Sequence, residues 1–224
     1  MTLIAHEKGA LFHCDAAQAV GKIPVDVETW DVDLLSISAH KLYGPKGVGA
    51  LYMRGGSYAL PIKPLLFGGG QEYDLRSGTL NVPGIVGFGK ACQLCTEYLS
   101  EEPVHIAALR DQLEEQLFCS LPSLERNGAI GHRLPGNSSL TFPGIDAEAL
   151  IVNVPELAIS TGSACTSGAL EPSHVLTALG MSRSAAYSTV RIGVGRFTRD
   201  DEINRAGNLI TDAVLRLREA SEQV

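Results

Sequence analysis

Ser36-Ile37-Ser38-Ala39-His40-Lys41-Leu42-Tyr43-Gly44-Pro45-Lys46-Gly47-Val48-Gly49 places a histidine and a lysine just after an apolar run, Val32 to Ser38, and just before a glycine-rich turn. A short apolar run bounded by turn residues reads as a buried strand. Polar groups delivered past the carboxyl end of a strand sit where open α/β sheets bind ligands. Lys41 has two readings at this point. On a surface loop it is a solvated cation. At a sheet's carboxyl edge, desolvation lowers an amine pKa from about 10.4 and permits Schiff-base chemistry.

Upstream, Met1 to Lys8 reads as the tail of a helix with Gly9 as its C-cap, and Ala10 to Cys14 reads as a buried strand that stops at Asp15. Asp15-Ala16-Ala17-Gln18 then offers a carboxylate and, three residues on, an amide facing the same way if a helical turn begins there. Alone, Asp15 is more often an N-cap. Together with Lys41 it fits pyridoxal phosphate chemistry, in which a carboxylate keeps the pyridine nitrogen protonated so that the ring acts as an electron sink. Downstream, Gly47 to Met53 reads as another strand. Gly68-Gly69-Gly70-Gln71-Glu72 and Arg76-Ser77-Gly78-Thr79 offer backbone N–H groups and a hydroxyl for a phosphate, although glycine triplets are usually plain turns. Neither glycine-rich stretch has the Walker spacing or the dinucleotide fingerprint.

From Asn81 the texture becomes helical: Ile85, Phe88, Cys92, Cys95 and Leu99 recur at spacings of 3, 4, 3 and 4. A second amphipathic helix follows Pro103, with Ile106, Leu109, Leu113 and Leu117 on one side and Arg110, Asp111, Glu114 and Glu115 elsewhere. The boundary between a first domain, 1–99, and a second, 100–224, is placed at Leu99 to Pro103. Beyond it, Ser138 to Phe142, Leu157 to Ser160 and Ser188 to Val194 read as strands. Ala147 to Val152 and Pro172 to Leu179 read as helical, giving an α+β pattern. A final helix opens at Thr198-Arg199-Asp200-Asp201 with a capping-box signature and carries Ile203, Ala206, Ile210, Ala213 and Leu217 on one face.

The 224 residues are 45% hydrophobic and 19% charged, with 24 glycines, which is the composition of a globular α/β chain and excludes disorder and collagen-like repeats. A net charge of −7 provides no basic surface for a phosphate backbone, so no nucleic-acid partner is expected. The longest run without Asp, Glu, Lys or Arg, Leu157 to Leu170, is 14 residues of largely small polar character, too short for a membrane helix. Five cysteines without a signal-peptide pattern predict reduced thiols in a cytosol-like compartment. Cys92 and Cys95 lie on the apolar stripe of their helix and read as core residues, and no second ligand pair supports a zinc site. Cys165 differs, because Ser160 to Gly168 is small, polar and without apolar periodicity. It is either an incidental loop cysteine or a catalytic thiol that attacks a bound sulfur compound. Arg191, within the apolar run Ser188 to Val194, is either half of a buried ion pair or a bidentate grip on a substrate carboxylate.

In this order the segments resemble the pyridoxal-phosphate-dependent cysteine desulfurases of the NifS/IscS type, members of the fold-type I, class-V aminotransferases. The resemblance covers nearly the whole chain. It rests most on Ser38 to Gly47, on Arg76 to Thr79, and on Gly162-Ser163-Ala164-Cys165-Thr166-Ser167 with Glu171-Pro172-Ser173. It implies an α/β fold: part of the large cofactor-binding domain followed by a small α+β C-terminal domain. By the same resemblance Lys41 is the Schiff-base lysine, Asp15 pairs with the pyridine nitrogen, Gln18 meets the ring hydroxyl, and Ser38 and His40 bind the phosphate. Thr79 reaches the phosphate of a partner subunit, which implies a homodimer. Arg191 holds the carboxylate of L-cysteine, and Cys165 takes its sulfur as a persulfide. The products are L-alanine and sulfur passed to an acceptor such as an iron–sulfur scaffold or a thiolation enzyme.

Relatives of this type begin well before the position matching Met1, and the earlier part carries a ring-stacking histidine and a phosphate-binding threonine that match neither His6 nor His13. The chain is therefore expected to be a fragment or short form, cytoplasmic, or organellar if a targeting segment precedes it. Two alternatives accompany this expectation. One is another fold-type I enzyme such as a selenocysteine lyase. The other is a non-catalytic module for dimerisation and acceptor docking.

Overall fold

The computed structural model describes residues 1–161 and 172–222, which fall into two compact units, Met1–Glu101 and Glu102–Val224. The first unit opens with helix α1, Thr2–Glu7. It closes as expected at Gly9: at φ 68° the Gly9 N–H donates to His6 O and the Ala10 N–H to Ala5 O, both at 2.9 Å. Strand β1, His13–Asp15, runs parallel to β2, Leu34–Ser38, and β3, Gly49–Met53, returns antiparallel to β2, giving the order β1-β2-β3. Helix α2, Val27–Trp30, lies between β1 and β2 in sequence and is capped by Asp26, whose carboxylate accepts from the Glu28 and Thr29 N–H groups. After β3 the chain is irregular until α3, Val82–Tyr98, which Asn81 caps through the Gly84 N–H.

Two expectations for this unit need correction. The buried strand read over Ala10 to Cys14 is a three-residue strand in which His13 and Asp15 are exposed and only Cys14 is partly covered. The Phe12 carbonyl accepts from both Asp33 and Leu34, and among the described residues β1 pairs with β2 alone, so one edge is unpaired. On α3, Ile85 is exposed; the buried face is Gly84, Phe88, Ala91 and Cys95, built largely from small residues.

The entry to this unit is tied by charge. His6 Nε2 lies 2.8 Å from Asp33 Oδ2, which also accepts from the Phe12 N–H at 2.7 Å. The hydrogen bond to Asp33 chiefly raises the His6 pKa above its ordinary 6.5. The Phe12 N–H, then His6, hold the Asp33 carboxyl below its ordinary 3.8. A raised histidine stabilises fully below its unfolded pKa and loses that contribution as pH rises through the folded value; a depressed carboxyl does the reverse. Native protein therefore exceeds His6→Ala in unfolding midpoint by its full margin between pH 3.8 and 6.5, and the margin shrinks on either side. Fluorescence of Trp30, the single tryptophan, reads this, since its carbonyl accepts from Thr2 Oγ1 beside the cluster. A margin that grows above pH 6.5 would contradict the pairing.

The second unit sets a four-stranded antiparallel sheet, in the order β4-β5-β7-β6, against helices. Its elements in chain order are α4 (Glu102–Ser120), β4 (Glu125–Arg126), β5 (Asn137–Thr141), α5 (Ala147–Asn153) and β6 (Ser160–Thr161), then α6 (His174–Ala178), α7 (Arg183–Tyr187), β7 (Thr189–Gly193) and α8 (Asp200–Glu222). Leu109, Leu113 and Leu117 of α4 meet Leu140, Val190, Ile210 and Val214 in one core. Helices α4 and α8 approach closely at Gly207, where a Cβ would collide with the Gln116 side chain, and Gln116 Nε2 donates to Asn208 Oδ1 at 2.8 Å.

Here too the sequence reading needs amendment. Thr198 does not cap α8 but accepts from the Gly195 N–H, while Glu202 reaches back to the Arg199 N–H at 2.9 Å, the other half of a capping box. Arg110 and Glu114, read as lying off the apolar face of α4, are both buried. The strand read over Leu157 to Ser160 is Ser160–Thr161.

Candidate functional site

The carboxyl ends of the parallel strands β1 and β2 bring together five of the residues singled out from sequence. Asp15 and Ser36 are register partners, and the Ala16 N–H donates to Ser36 O at 3.0 Å, fastening the end of β1 to β2. Asp15 Oδ1 accepts from the Ala17 N–H at 2.9 Å in an Asx turn, so a ligand would meet Oδ2. A helical turn follows, in which Ala19 and Val20 donate to Ala16 O, and Lys22 Nζ donates to Gln18 Oε1 at 3.0 Å.

Strand β2 ends at Ser38 and continues as a 3₁₀ turn, Ala39–Leu42. Residues three apart eclipse in such a turn, so Ala39 and Leu42 are buried together while His40 and Lys41 face outward. Ser38 Oγ lies 2.9 Å from His40 Nδ1, which leaves Nε2 to meet a ligand. The turn is pinned at both ends: the Ala39 N–H donates to Val48 O and the Gly44 N–H to Ala39 O.

Helix α3 seats these turns through positions four apart, which share one face. A Cβ at Gly87 would stand 3.2 Å from Pro45 Cγ, and one at Gly44 would stand 3.2 Å from Ala91 Cβ and 2.9 Å from Ala39 O. Gly21, at φ 75°, rests on Cys95 so closely that a Cβ there would be 2.6 Å from Cys95 Sγ and 3.5 Å from Leu42 Cβ. Small residues at 87, 91 and 95 thus let both the Asp15–Lys22 turn and the Lys41 turn lie against one helix. Cys92 packs on the same cluster, where burial pushes its thiol pKa up. Lys22 is half-buried, and its amine pKa is lowered by desolvation first and by the charge of Lys41 second.

The remaining candidates lie elsewhere. Thr79 is exposed in the irregular stretch before α3. Just upstream, Glu72, Tyr73 and Asp74 all have left-handed backbones, with φ 51°, 58° and 63°, each costing roughly 1–2 kcal/mol for a side-chain-bearing residue. Arg191 is half-buried on β7, in register with Ser139 of β5 and Ser160 of β6. Cys165 lies outside the described residues. Among the described residues no group of three or more His, Cys, Asp or Glu could hold a metal ion. Sequence reading missed Lys22, although its spacing of four from Gln18 within a turn was a usable signal.

Comparisons with known proteins agree on one group. The family described as aminotransferase class-V matches residues 1–206. A protein named cysteine desulfurase IscS from Anaeromyxobacter dehalogenans (strain 2CP-C) is 50% identical over 218 residues, covering 97% of this chain and 54% of that relative. The X-ray structure of a NifS-like protein from Rickettsia africae ESF-5 superposes with a TM-score of 0.84 at 32% identity, covering 95% of this chain and 56% of that one. A structure described as SspA in complex with cysteine aligns at 37% identity with a TM-score of 0.68, covering 88% and 54%. The chain spans about half the length of the curated relatives it matches.

Proposed function

The chain belongs to the class-V aminotransferase family, and from that premise we propose that it carries the lysine, carboxylate and thiol of a pyridoxal-phosphate-dependent cysteine desulfurase. The observation that carries this reading is the strand edge itself: an exposed lysine on a pinned turn, a serine–histidine pair at the start of that turn, and a carboxylate at the end of the adjacent parallel strand. The donor set fits the cofactor. Lys41 Nζ suits the aldehyde carbon, Asp15 Oδ2 the protonated ring nitrogen, Gln18 the ring hydroxyl, and Ser38 with His40 Nε2 the phosphate. Thr79 would serve the phosphate held by a second copy of the chain. When bound, pyridoxal phosphate supplies an electron sink for negative charge developing at the substrate Cα.

The chain's own groups do the rest. Arg191 grips the L-cysteine carboxylate through its guanidinium fork, and Lys41 Nζ, once released, carries the proton away from the substrate Cα. The Cys165 thiolate attacks the substrate sulfur, so a sulfur–sulfur bond forms as the carbon–sulfur bond breaks and its electron pair passes to the carbon side. Protonation at Cβ, where the carbon–sulfur bond broke, and return of a proton to Cα from Lys41 Nζ yield L-alanine, and the outer sulfur of the Cys165 persulfide passes to an acceptor thiol. The related structure described as complexed with cysteine supports that substrate. No helix among the described residues is long and apolar enough to cross a membrane, and a cytoplasmic homodimer with a sulfur-acceptor partner completes the proposal.

The test is the visible spectrum of purified chain with pyridoxal phosphate, followed by L-cysteine. A band that changes on adding L-cysteine, with L-alanine and protein persulfide formed, is the expected result. Cys165→Ala keeps the band and forms no persulfide. If Cys165→Ala still desulfurates L-cysteine, the thiol assignment fails. A folded but colourless protein sinks the enzyme reading and leaves the docking module.

A further inference from the structure

A glutamine side chain presents an oxygen at one end of its amide and two N–H donors at the other, and the end that faces a ligand decides what it can bind. The ring hydroxyl assigned to Gln18 above, when ionised, accepts hydrogen bonds, so the useful orientation turns the NH2 group toward it. A lysine ammonium only donates. Lys22 Nζ stands 3.0 Å from Gln18 Oε1, a pairing that leaves the Gln18 NH2 on the opposite side.

The placement of Lys22 is itself built. In the Ala16–Ile23 turn Ala19 and Val20 donate to Ala16 O, and Lys22 and Ile23 to Ala19 O, so Gln18 and Lys22 stand one helical turn apart on the same side. Gly21, adjacent to Lys22, is pressed onto Cys95 of α3 and beside Leu42, the neighbour of Lys41. The turn therefore has little freedom to carry Lys22 away from Gln18. Partial burial and the nearby Lys41 charge both act against the Lys22 ammonium, and Gln18 Oε1 at 3.0 Å gives it a hydrogen-bond acceptor.

We propose that Lys22 is a positioning residue that holds the Gln18 amide with its NH2 donors toward the ring hydroxyl of pyridoxal phosphate. The inference rests on the cofactor reading above. It is tested by titrating pyridoxal phosphate into native chain, Lys22→Met, Lys22→Arg, Gln18→Ala and the Lys22→Met/Gln18→Ala double variant. Two readouts are taken: the dissociation constant, and the ratio of the long- to the short-wavelength absorption band, which tracks ionisation of the ring hydroxyl. Lys22→Met should weaken binding about three- to tenfold, the net worth of one ordinary hydrogen bond, and lower the band ratio. Lys22→Arg, which keeps a cationic donor, should return both to within about twofold of native, and in the Gln18→Ala background Lys22→Met should change neither by more than about twofold.

Unchanged binding and band ratio in Lys22→Met, with native protein coloured, would overturn the inference and leave the cofactor reading intact. An equal effect with and without Gln18 would overturn it in favour of a direct charge effect. Native protein that takes up no cofactor overturns the underlying reading and the inference with it. Trp30 fluorescence melts confirm that each variant folds.

Discussion

Lys41→Ala leaves the chain folded and without the native band on adding pyridoxal phosphate, and it lowers the proposed turnover of L-cysteine by roughly 10²–10⁴-fold, the usual worth of a positioned proton-transfer group. The structural cost is small because the turn does not depend on the side chain. Ala39 and Leu42 bury its inner face, the Ala39 and Gly44 N–H groups pin its ends, and the Lys41 side chain lies on the exposed side. An exposed substitution of this kind alters stability by about 0.5 kcal/mol or less. Lys41→Arg sharpens the test. Arginine keeps the positive charge beside Lys22 and beside any bound phosphate but stays protonated and cannot form the covalent link. The two variants should therefore be equally inactive, while Lys41→Arg retains more cofactor affinity. A band in Lys41→Ala that matches the native one, or desulfuration within about tenfold of native protein, would remove Lys41 from the chemistry.

Much of the frame around that lysine was legible in the sequence because each element has a local cause. Gly9 ends α1 by adopting a left-handed backbone, Asn81 starts α3 through its side chain, and the apolar run into Ser38 becomes β2. What escaped depends on partners far along the chain. The periodicity of α3 pointed to Ile85, but the face that carries the Lys41 turn is selected by what must lie against it: Pro45 over Gly87, Gly44 over Ala91, and Gly21 over Cys95. Small residues add little to an apolar stripe, yet they permit the closest approach. The strand before Asp15 is short and exposed because among the described residues it pairs on one side only, and pairing is not a local property. The roles of the site residues came from their order along the chain and from resemblance, whereas the Lys22–Gln18 contact needed coordinates.

The second prediction concerns the charge that sequence reading left outside the core. Glu114 is 1% exposed on α4. Its carboxylate is gripped by the Arg133 fork, with NH2 to Oε2 at 2.9 Å, accepts from Ser138 Oγ at 2.7 Å, and lies 2.8 Å from Arg126 Nε. Burial acts to raise its pKa, but the Arg133 and Ser138 hydrogen bonds and the two arginine charges outweigh it and hold the carboxyl below its ordinary range. Arg133 also reaches Asp111, and Arg110 ties Asp111 to the Pro135 carbonyl at 2.7 Å, so the stretch from Arg133 to Pro135 is fastened to α4. Glu114→Ala should destabilise the second unit by about 3–5 kcal/mol, since it strands Arg126 and leaves Arg133 only the more exposed Asp111 as counter-charge. Urea unfolding followed by circular dichroism measures this. Glu114→Gln, which keeps one acceptor, should lose less. A triple replacement of Glu114, Arg126 and Arg133 by leucine should recover most of the loss, because well-packed apolar side chains can replace a buried ionic cluster at little net cost. The same loss reaches the proposed substrate grip, because Ser138 and Ser139 lie on β5, and Ser139 is the register partner of Arg191 on β7. If Glu114→Ala unfolds within about 1 kcal/mol of native protein, the cluster is not the uncompensated-charge trap that its geometry describes.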